Sequence, residues 1–562
     1  MEELDPAPLG MDGKQPANSP PCVEESSVVD PTAHAIMEIF THSHSDGYKP
    51  MPFYQRFKEE IRLWGSESRE RMAWYTYDWA NSMFAAMAVT FFMPLLLASM
   101  AKTAAFKGNL IPTCSNCTSY SCPQSVASCQ MCIMGEGDKY WNASSQEWTD
   151  LPTRTIAWWP GNVDAFQFAT RVVSYSVILQ LIIFITIGAI ADYERYRYVF
   201  FLGFIIVGSI SCMLLISVTS SSLYVYAGAL VIISNACWGA ANVLYNSYLP
   251  LIVADHKEVV AANGNHDVWE DIENFMSSLG FMMGYVSGII STIAALILVS
   301  VIANQEVAYK INIFIAGAWW AVFSVVTLRG LKVRKGKSST GERFLIFRGW
   351  YSTFNSFVHA AQYPETFKFF LAWFFYSDSY STVAQVGVLL AQQQLCMPGS
   401  KLAFILVFTM IFALFGNMFF LWLQQRWAIG SKAIVTINLF GYIVICVIGM
   451  MGFIPGSKVG FKTDTEAYVF ALIHGFMVGS LQSFSRTICS DLSVPGRESE
   501  FFALFEITNK GSSWLGPLIV GELYRANGNM NYGFLYLFLM IVLPMFLFWS
   551  VKHEKGMRDV GR

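Results

Sequence analysis

Charge is scarce in this chain. Of 562 residues only 14% are Asp, Glu, Lys or Arg, where a soluble protein carries roughly 25%. So few charges cannot wet a surface of this size, which excludes a soluble enzyme of several domains. The net charge is −3, so there is no basic excess to hold a polyanion, and nucleic acid is not an expected partner. Reactive signatures are missing as well: there is no HExxH pair, no glycine-rich phosphate loop and no nucleophile triad. Neither enzymatic activity, a cofactor nor a resident metal is expected. The acidic stretch 255–273 holds His256 and His266 but lacks ligand spacing, and it reads as a solvated face. The first 46 residues lack apolar periodicity and read as a disordered tail. They also lack the basic start and apolar core of a cleavable signal peptide.

What is abundant is apolar: 54% of residues are hydrophobic. Long apolar runs occupy 74–100, 166–190, 198–217, 222–249, 275–302, 309–329, 367–391, 402–424, 432–454, 467–489, 501–523 and 531–551. Each has the roughly 20 residues needed to cross a bilayer. A lipid-exposed backbone must satisfy its own hydrogen bonds, so helices are the default. The expected fold is an all-α membrane protein of twelve transmembrane helices. Lys and Arg gather before the first run (Lys58, Arg62, Arg69, Arg71), in the 190–198 loop, between the sixth and seventh runs, and at the C-terminus (Lys552, Lys555, Arg558, Arg562). That bias places these segments and both termini in the cytosol. Residues 53–64 fit either an amphipathic helix on the membrane surface or an exposed linker helix.

The 101–165 loop falls on the luminal side. It holds Cys114, Cys117, Cys122, Cys129 and Cys132, five of the eleven cysteines, and sequons at Asn116 and Asn142. Disulfides are the expected reading in an oxidising lumen, and the odd count leaves one thiol over. The sequons suggest glycosylation.

The second half of the chain echoes the first. Trp74-Tyr75-Thr76-Tyr77-Asp78 in the first run resembles Trp373-Phe374-Phe375-Tyr376-Ser377-Asp378 in the seventh. Ser277-Ser278-Leu279-Gly280 in the fifth resembles Ser512-Ser513-Trp514-Leu515-Gly516 in the eleventh. Asp78 and Ser277 are 199 residues apart and Asp378 and Ser512 134; the difference, 65, is the length of loop 101–165. Two pseudo-symmetric six-helix halves around a central path follow, which is transporter architecture. The chain divides into a disordered cytosolic tail (1–60), a first half (61–329, including loop 101–165), a cytosolic linker (330–366), a second half (367–551) and a cytosolic tail (552–562).

Between the second and third runs stands Gly188-Ala189-Ile190-Ala191-Asp192-Tyr193-Glu194-Arg195-Tyr196-Arg197. It resembles the loop signature of the major facilitator superfamily, with Gly188, Asp192 and Arg197 in place. Gly188 permits close helix packing. Asp192 can face a helix N-terminus, that of the eleventh run, and so latch one face. The corresponding loop of the second half, 416–432, lacks the Asp, so its latch reads as degenerate.

Further blocks narrow the resemblance. They are Trp74–Ser82, Tyr245-Asn246-Ser247-Tyr248-Leu249-Pro250, Gly280–Tyr285, Gly479-Ser480-Leu481-Gln482-Ser483-Phe484-Ser485-Arg486, Pro495-Gly496-Arg497-Glu498 and Gly511–Pro517. In this order, across residues 70–550, the chain resembles the autophagy-related vacuolar amino-acid effluxers of fungi. The resemblance implies the major facilitator fold in a vacuolar or lysosomal membrane. It also implies export of neutral amino acids, leucine- or tyrosine-like, to the cytosol by alternating access. Another small solute such as a sugar or peptide, or a lipid scramblase or sensor on the same fold, is the alternative.

A zwitterion needs a cation, an anion and an apolar pocket. Ionisable groups within spans default to function, and the superfamily lines its path with runs one, four, seven and ten. Candidates for the substrate are Asp78 and Asn81; Asn242, Tyr245 and Asn246; Tyr376, Asp378 and Gln385; and Gln482 with Arg486. Arg486 would attract the carboxylate and Asp378 or Asp78 the ammonium. Arg486 can instead pair with Asp491, and Asp78 can be a packing anchor. For gating and coupling the candidates are Gly188, Asp192 and Arg197, then His474 as a titrating group, and Glu506 with Lys510, an i, i+4 pair. The lipid bilayer and a small-molecule substrate are the expected partners.

Overall fold

The computed structural model describes residues 49–63, 68–105, five short strand segments between 132 and 163, and 165–562 apart from 339–349, 352–361, 394–398, 455–458, 514 and 528–530. Cys114, Asn116, Cys117, Cys122 and Cys129 lie outside the described residues, as do most of the N-terminal tail and much of the linker. Of Cys132 and Asn142 only the backbone is described; they fall in strands β1 (Cys132–Ile133) and β2 (Asp138–Asn142) of a small antiparallel sheet.

The chain is otherwise helical. After α1 (Phe53–Arg62), one 37-residue rod joins α2 (Arg69–Met83), a π-helical stretch (Phe84–Phe92) and α3 (Met93–Ala105). There follow α4 (Ala165–Ile190), α5 (Tyr196–Leu214), α6 (Tyr224–Asn246), the short α7 (Leu249–Ala254) and α8 (Lys257–Ala261), α9 (His266–Val301) and α10 (Gln305–Gly330). The second half comprises α11 (Pro364–Gln393), α12 (Gly399–Trp427), α13 (Ser431–Met450), α14 (Asp464–Asp491), α15 (Glu498–Ser512), α16 (Leu515–Asn527) and α17 (Asn531–Trp549), and α18 (His553–Val560) closes the chain.

Ten helices, among the described residues, are long and apolar enough to cross a membrane. Two of the twelve expected spans fall outside that set. One is α11, which carries the polar run Ser377–Thr382. The other is the eleventh, split at Ser513 into α15 and α16, of 15 and 13 residues.

Packing repeats with the offset seen in the sequence. The α2 rod packs on α9 and α10, and α11 packs correspondingly on α15 and α17. Likewise α6 packs on α4 and α5, and α14 on α12 and α13. The halves meet where α9 crosses α12 and α14, and where α4 crosses α15. Small residues permit that approach: a Cβ on Gly188 of α4 would lie 2.6 Å from the Ala503 Cβ of α15.

One face carries the described ends of the chain, and two carboxylates clasp the halves there. Asp192 accepts from the backbone N–H groups of Ser499 (3.0 Å) and Glu500 (3.1 Å), at the open first turn of α15. Arg197 holds Asp192 and bonds Ser499 Oγ at 2.9 Å and Glu498 at 3.0 Å. Burial pushes the Asp192 carboxyl up, against the pull of Arg197. The second clasp corrects the expectation of a degenerate latch. Glu270 of α9 accepts from the Ser431 N–H at 2.6 Å, at the start of α13, and Asn274 donates to Ser431 Oγ at 2.7 Å. The loop 416–432 needs no Asp because the opposite half supplies the carboxylate.

The stretch 255–273 divides: residues 255–266 are largely solvated, as expected apart from the buried His256, but 267–273 are not. Asp267, Glu270, Asp271 and Glu273 are buried, with Asp271 paired to Arg56 of α1 at 2.8 Å. That ion pair, with Phe53 against Phe275, docks α1 on the bundle. The linker joins the same face: Lys337 N–H donates to the Asp192 carbonyl at 3.1 Å, and Arg334 pairs with Glu70 at 3.0 Å.

Candidate functional site

A cavity of about 450 Å³ lies between the halves. Its floor is a layer built around Arg486 of α14. The guanidinium donates to the Ser277 carbonyl of α9 at 2.7 Å, to Ser277 Oγ at 3.0 Å and to Asn246 Oδ1 of α6 at 3.3 Å. It reaches Asp78 of α2 at 3.4 Å and lies 4.3 Å from the centre of the Phe281 ring and 4.9 Å from that of Trp74. Asp78 also accepts from the Tyr245 hydroxyl at 2.7 Å, and Trp74 stacks on Tyr245 at 4.6 Å. Three helices of the first half thus converge on one Arg of the second. Every nitrogen of this buried fork is bonded, which fixes its orientation.

From Asp78 the rod runs away from the terminal face, and the cavity follows it past Asn81, Ser82, Ala85 and Ala86. The last two lie in the first turn of the π-helical stretch, whose widened turn is a form often found at functional sites. Tyr285 and Tyr380 bracket Gln482 on the wall, at 3.3 and 3.2 Å.

Two further charges line the cavity, Glu506 and Lys510 of α15. They were expected to pair, and they do not. Glu506 accepts from Asn509 at 3.2 Å, while the Lys510 ammonium rests over the Trp238 ring at 5.5 Å. The aromatic face and the neighbouring amide compete successfully with an i, i+4 contact that contributes only a few tenths of a kcal/mol on an open helix.

Of the residues singled out in the sequence, Asp78, Asn81, Asn242, Tyr245, Asn246, Gln482, Arg486, Glu506 and Lys510 meet at this cavity. Tyr376, Asp378, Gln385 and His474 are not among its lining residues. Tyr376 bonds Ser485 at 3.0 Å within the second half, and Gln385 is exposed. His474 is packed against Phe470 and lies 3.2 Å from the Tyr442 hydroxyl. Asp378 is 2% exposed and faces α16 and α17. Gly188, Asp192 and Arg197 stand at the terminal face, as described above. Asp491 pairs with His553 at 3.1 Å rather than with Arg486.

The cause of the rotation in α11 is a single residue. Asp78 follows Trp74 by four positions, but Asp378 follows Trp373 by five. At 3.6 residues per turn that moves the carboxylate roughly 100° around the helix. Trp373, Tyr380 and Ser381 face the cavity instead. Trp238, Phe281 and Tyr285, also on the wall, carry no charge, and nothing in the sequence marked them as lining residues among so many aromatics.

Comparison with known proteins settles the family. The model of the vacuole effluxer Atg22-like family matches residues 66–561. The chain belongs to that family. It is 26% identical to autophagy-related protein 22-1 of Neosartorya fischeri over 570 residues, covering 88% of this chain and 91% of that one. It is 28% identical to autophagy-related protein 22 of Coccidioides immitis over 545 residues, covering 88% of each. Among solved structures it resembles the major facilitator superfamily transporter FucP in the outward conformation, at a TM-score of 0.55 and 12% identity, covering 85% of this chain and 97% of that one. The proton:xylose symporter XylE is similar at a TM-score of 0.54 and 12% identity, covering 86% and 96%. The family member described here is therefore a multi-pass vacuolar transporter with the major facilitator fold, and not an enzyme.

Proposed function

We propose that this transporter exports neutral amino acids, leucine- or tyrosine-like, from the vacuole or lysosome to the cytosol by alternating access, drawing on the proton gradient of an acidic lumen. The terminal face, which carries Arg56, Arg71, Arg334 and Lys552, is read as cytosolic on the positive-inside bias. In the state described the cytosolic clasps are closed and the cavity lies on their luminal side.

The observation that carries the substrate class is the pair of charges on α15. Arg486 and Asp78 already hold one another. Among the described residues Lys510 has no carboxylate within 4 Å and Glu506 bonds only Asn509. One turn apart and of opposite sign, they suit the two ends of a zwitterion: Lys510 takes the carboxylate and Glu506 the ammonium. Asn242 and Gln482 add neutral hydrogen bonds, and Trp238, Phe281, Tyr285 and Tyr380 form the apolar wall for the side chain. A cavity of about 450 Å³ suits one such molecule.

Counterflow of labelled leucine and tyrosine in liposomes holding the purified protein tests this. Wild type should exchange both, and Lys510→Gln and Glu506→Gln should each lower exchange by about tenfold, the loss of one charge-assisted bond. Absence of counterflow with every neutral amino acid would overturn the substrate class. Unchanged exchange in both variants would overturn the residue assignment.

A further inference from the structure

Asp378 has no place in the cavity, yet it is the kind of group a membrane protein does not keep without use. It is 2% exposed, and no Lys, Arg or His lies within ion-pair distance of it among the described residues. The Thr382 hydroxyl approaches Oδ1 at 3.5 Å, and the backbone N–H of Gly516, at the start of α16, faces the carboxylate. Oδ2 has no hydrogen-bond partner among the described residues. The titratable group facing it from the packed helices is Tyr536 of α17, whose hydroxyl is buried and likewise without a hydrogen-bond partner. Of the cavity charges, Glu506 and Lys510 belong to α15, on the other side of the break at Ser513.

A buried carboxylate without a counter-charge is accommodated as the neutral acid. Apart from the Thr382 hydroxyl, its support among the described residues comes from the N-terminal end of α16, the second part of a span broken at Ser513. Discontinuous helices near the midplane are where transporters of this kind bind coupling ions. The geometry therefore points to a proton site separate from the substrate cavity.

We propose that Asp378 carries the coupling proton of this transporter: its carboxylate takes one proton from luminal water, and gives it to cytosolic water when α15 and α16 move relative to α11. No other bond forms or breaks. His474, with its ring enclosed by Phe470 and Tyr442, is not needed for this step. The inference rests on the proposed export of neutral amino acids.

The test uses the full-length protein in liposomes with an internal pH dye. Two quantities are read: labelled leucine counterflow at equal pH, and leucine accumulation driven by an imposed pH gradient, with the accompanying proton flux. Asp378→Asn, which mimics the protonated acid, should keep counterflow within about twofold of wild type while losing about tenfold or more of gradient-driven accumulation and the substrate-linked proton flux. Asp378→Glu should restore both. Retention of proton-linked accumulation by Asp378→Asn would overturn the proposal. So would loss of counterflow in that variant, which would place the residue in the substrate path or in the packing. If wild type shows no counterflow at all, it is the substrate reading that fails; counterflow without any gradient effect in wild type removes the coupling alone.

Discussion

Arg486 of the second half and Asp78 of the first meet 3.4 Å apart beneath the cavity, both largely withdrawn from solvent. Removing one member of a buried pair leaves an uncompensated charge, which costs about 3 kcal/mol or more. Asp78→Asn should therefore destabilise the protein by that order, and Asp78→Asn combined with Arg486→Gln should recover much of the loss. Thermal denaturation of the two variants in detergent measures the difference. Equal destabilisation by the single and double variants would show that Asn246 and Ser277 alone hold the guanidinium.

The approach of α4 to α15 at Gly188 can be tested with a side chain. A Cβ there would meet that of Ala503 at 2.6 Å, and overpacking of this kind costs about 2 kcal/mol. Under the proposed alternating access, the strain falls only on the state with the halves in contact. Gly188→Val should leave the fold intact but raise the labelling of a cysteine placed at Ser499, which is buried in the closed clasp. Unchanged labelling would mean that the helices part without releasing the clasp.

His256 gives a pH dependence with a definite sign. Its Nδ1 accepts from the Glu258 N–H at 3.3 Å, capping α8. Burial, and then the nearby Arg71 and Arg56, push the imidazole down from 6.5 to about 3. The unfolded chain therefore binds the proton first. The contribution to stability is full above about pH 6.5 and is lost as the pH falls toward 3. His256→Asn keeps a capping acceptor without the titration. Between pH 7 and pH 5 the melting temperature of wild type should fall further than that of the variant, and parallel slopes would remove His256 as the cause.

The legible parts of this fold were those fixed by the chain's relation to lipid. Apolar runs located the helices, and the six-span offset located the halves, because neither depends on which neighbour a helix touches. The facing of polar residues was harder. A stripe of Asn, Asp and Gln says that one side of a helix avoids lipid, but a cavity and a neighbouring helix avoid lipid equally well. In α6, Asn242 and Asn246 reach the cavity, while Asn235, on the same helix, bonds Ser176 of α4 at 2.6 Å. In α11 one additional residue after Trp373 was enough to turn the Asp away. The charged residues of 267–273 misled for the opposite reason, since two of their partners, Arg56 and Ser431, are far away in the chain.

The two clasps differ in origin but share a design: a carboxylate of the first half against the open end of a helix in the second, Asp192 on α15 and Glu270 on α13. Each bond they make in protein can be remade in water, since released N–H groups and carboxylates both hydrate well. Parting the halves therefore changes the energy of these contacts little, while it requires several of them to break in one motion. Under the proposed alternating access, the face should behave as a slow switch between two states of comparable weight, in which occupancy of the cavity, rather than the strength of the closed contacts, decides which state prevails.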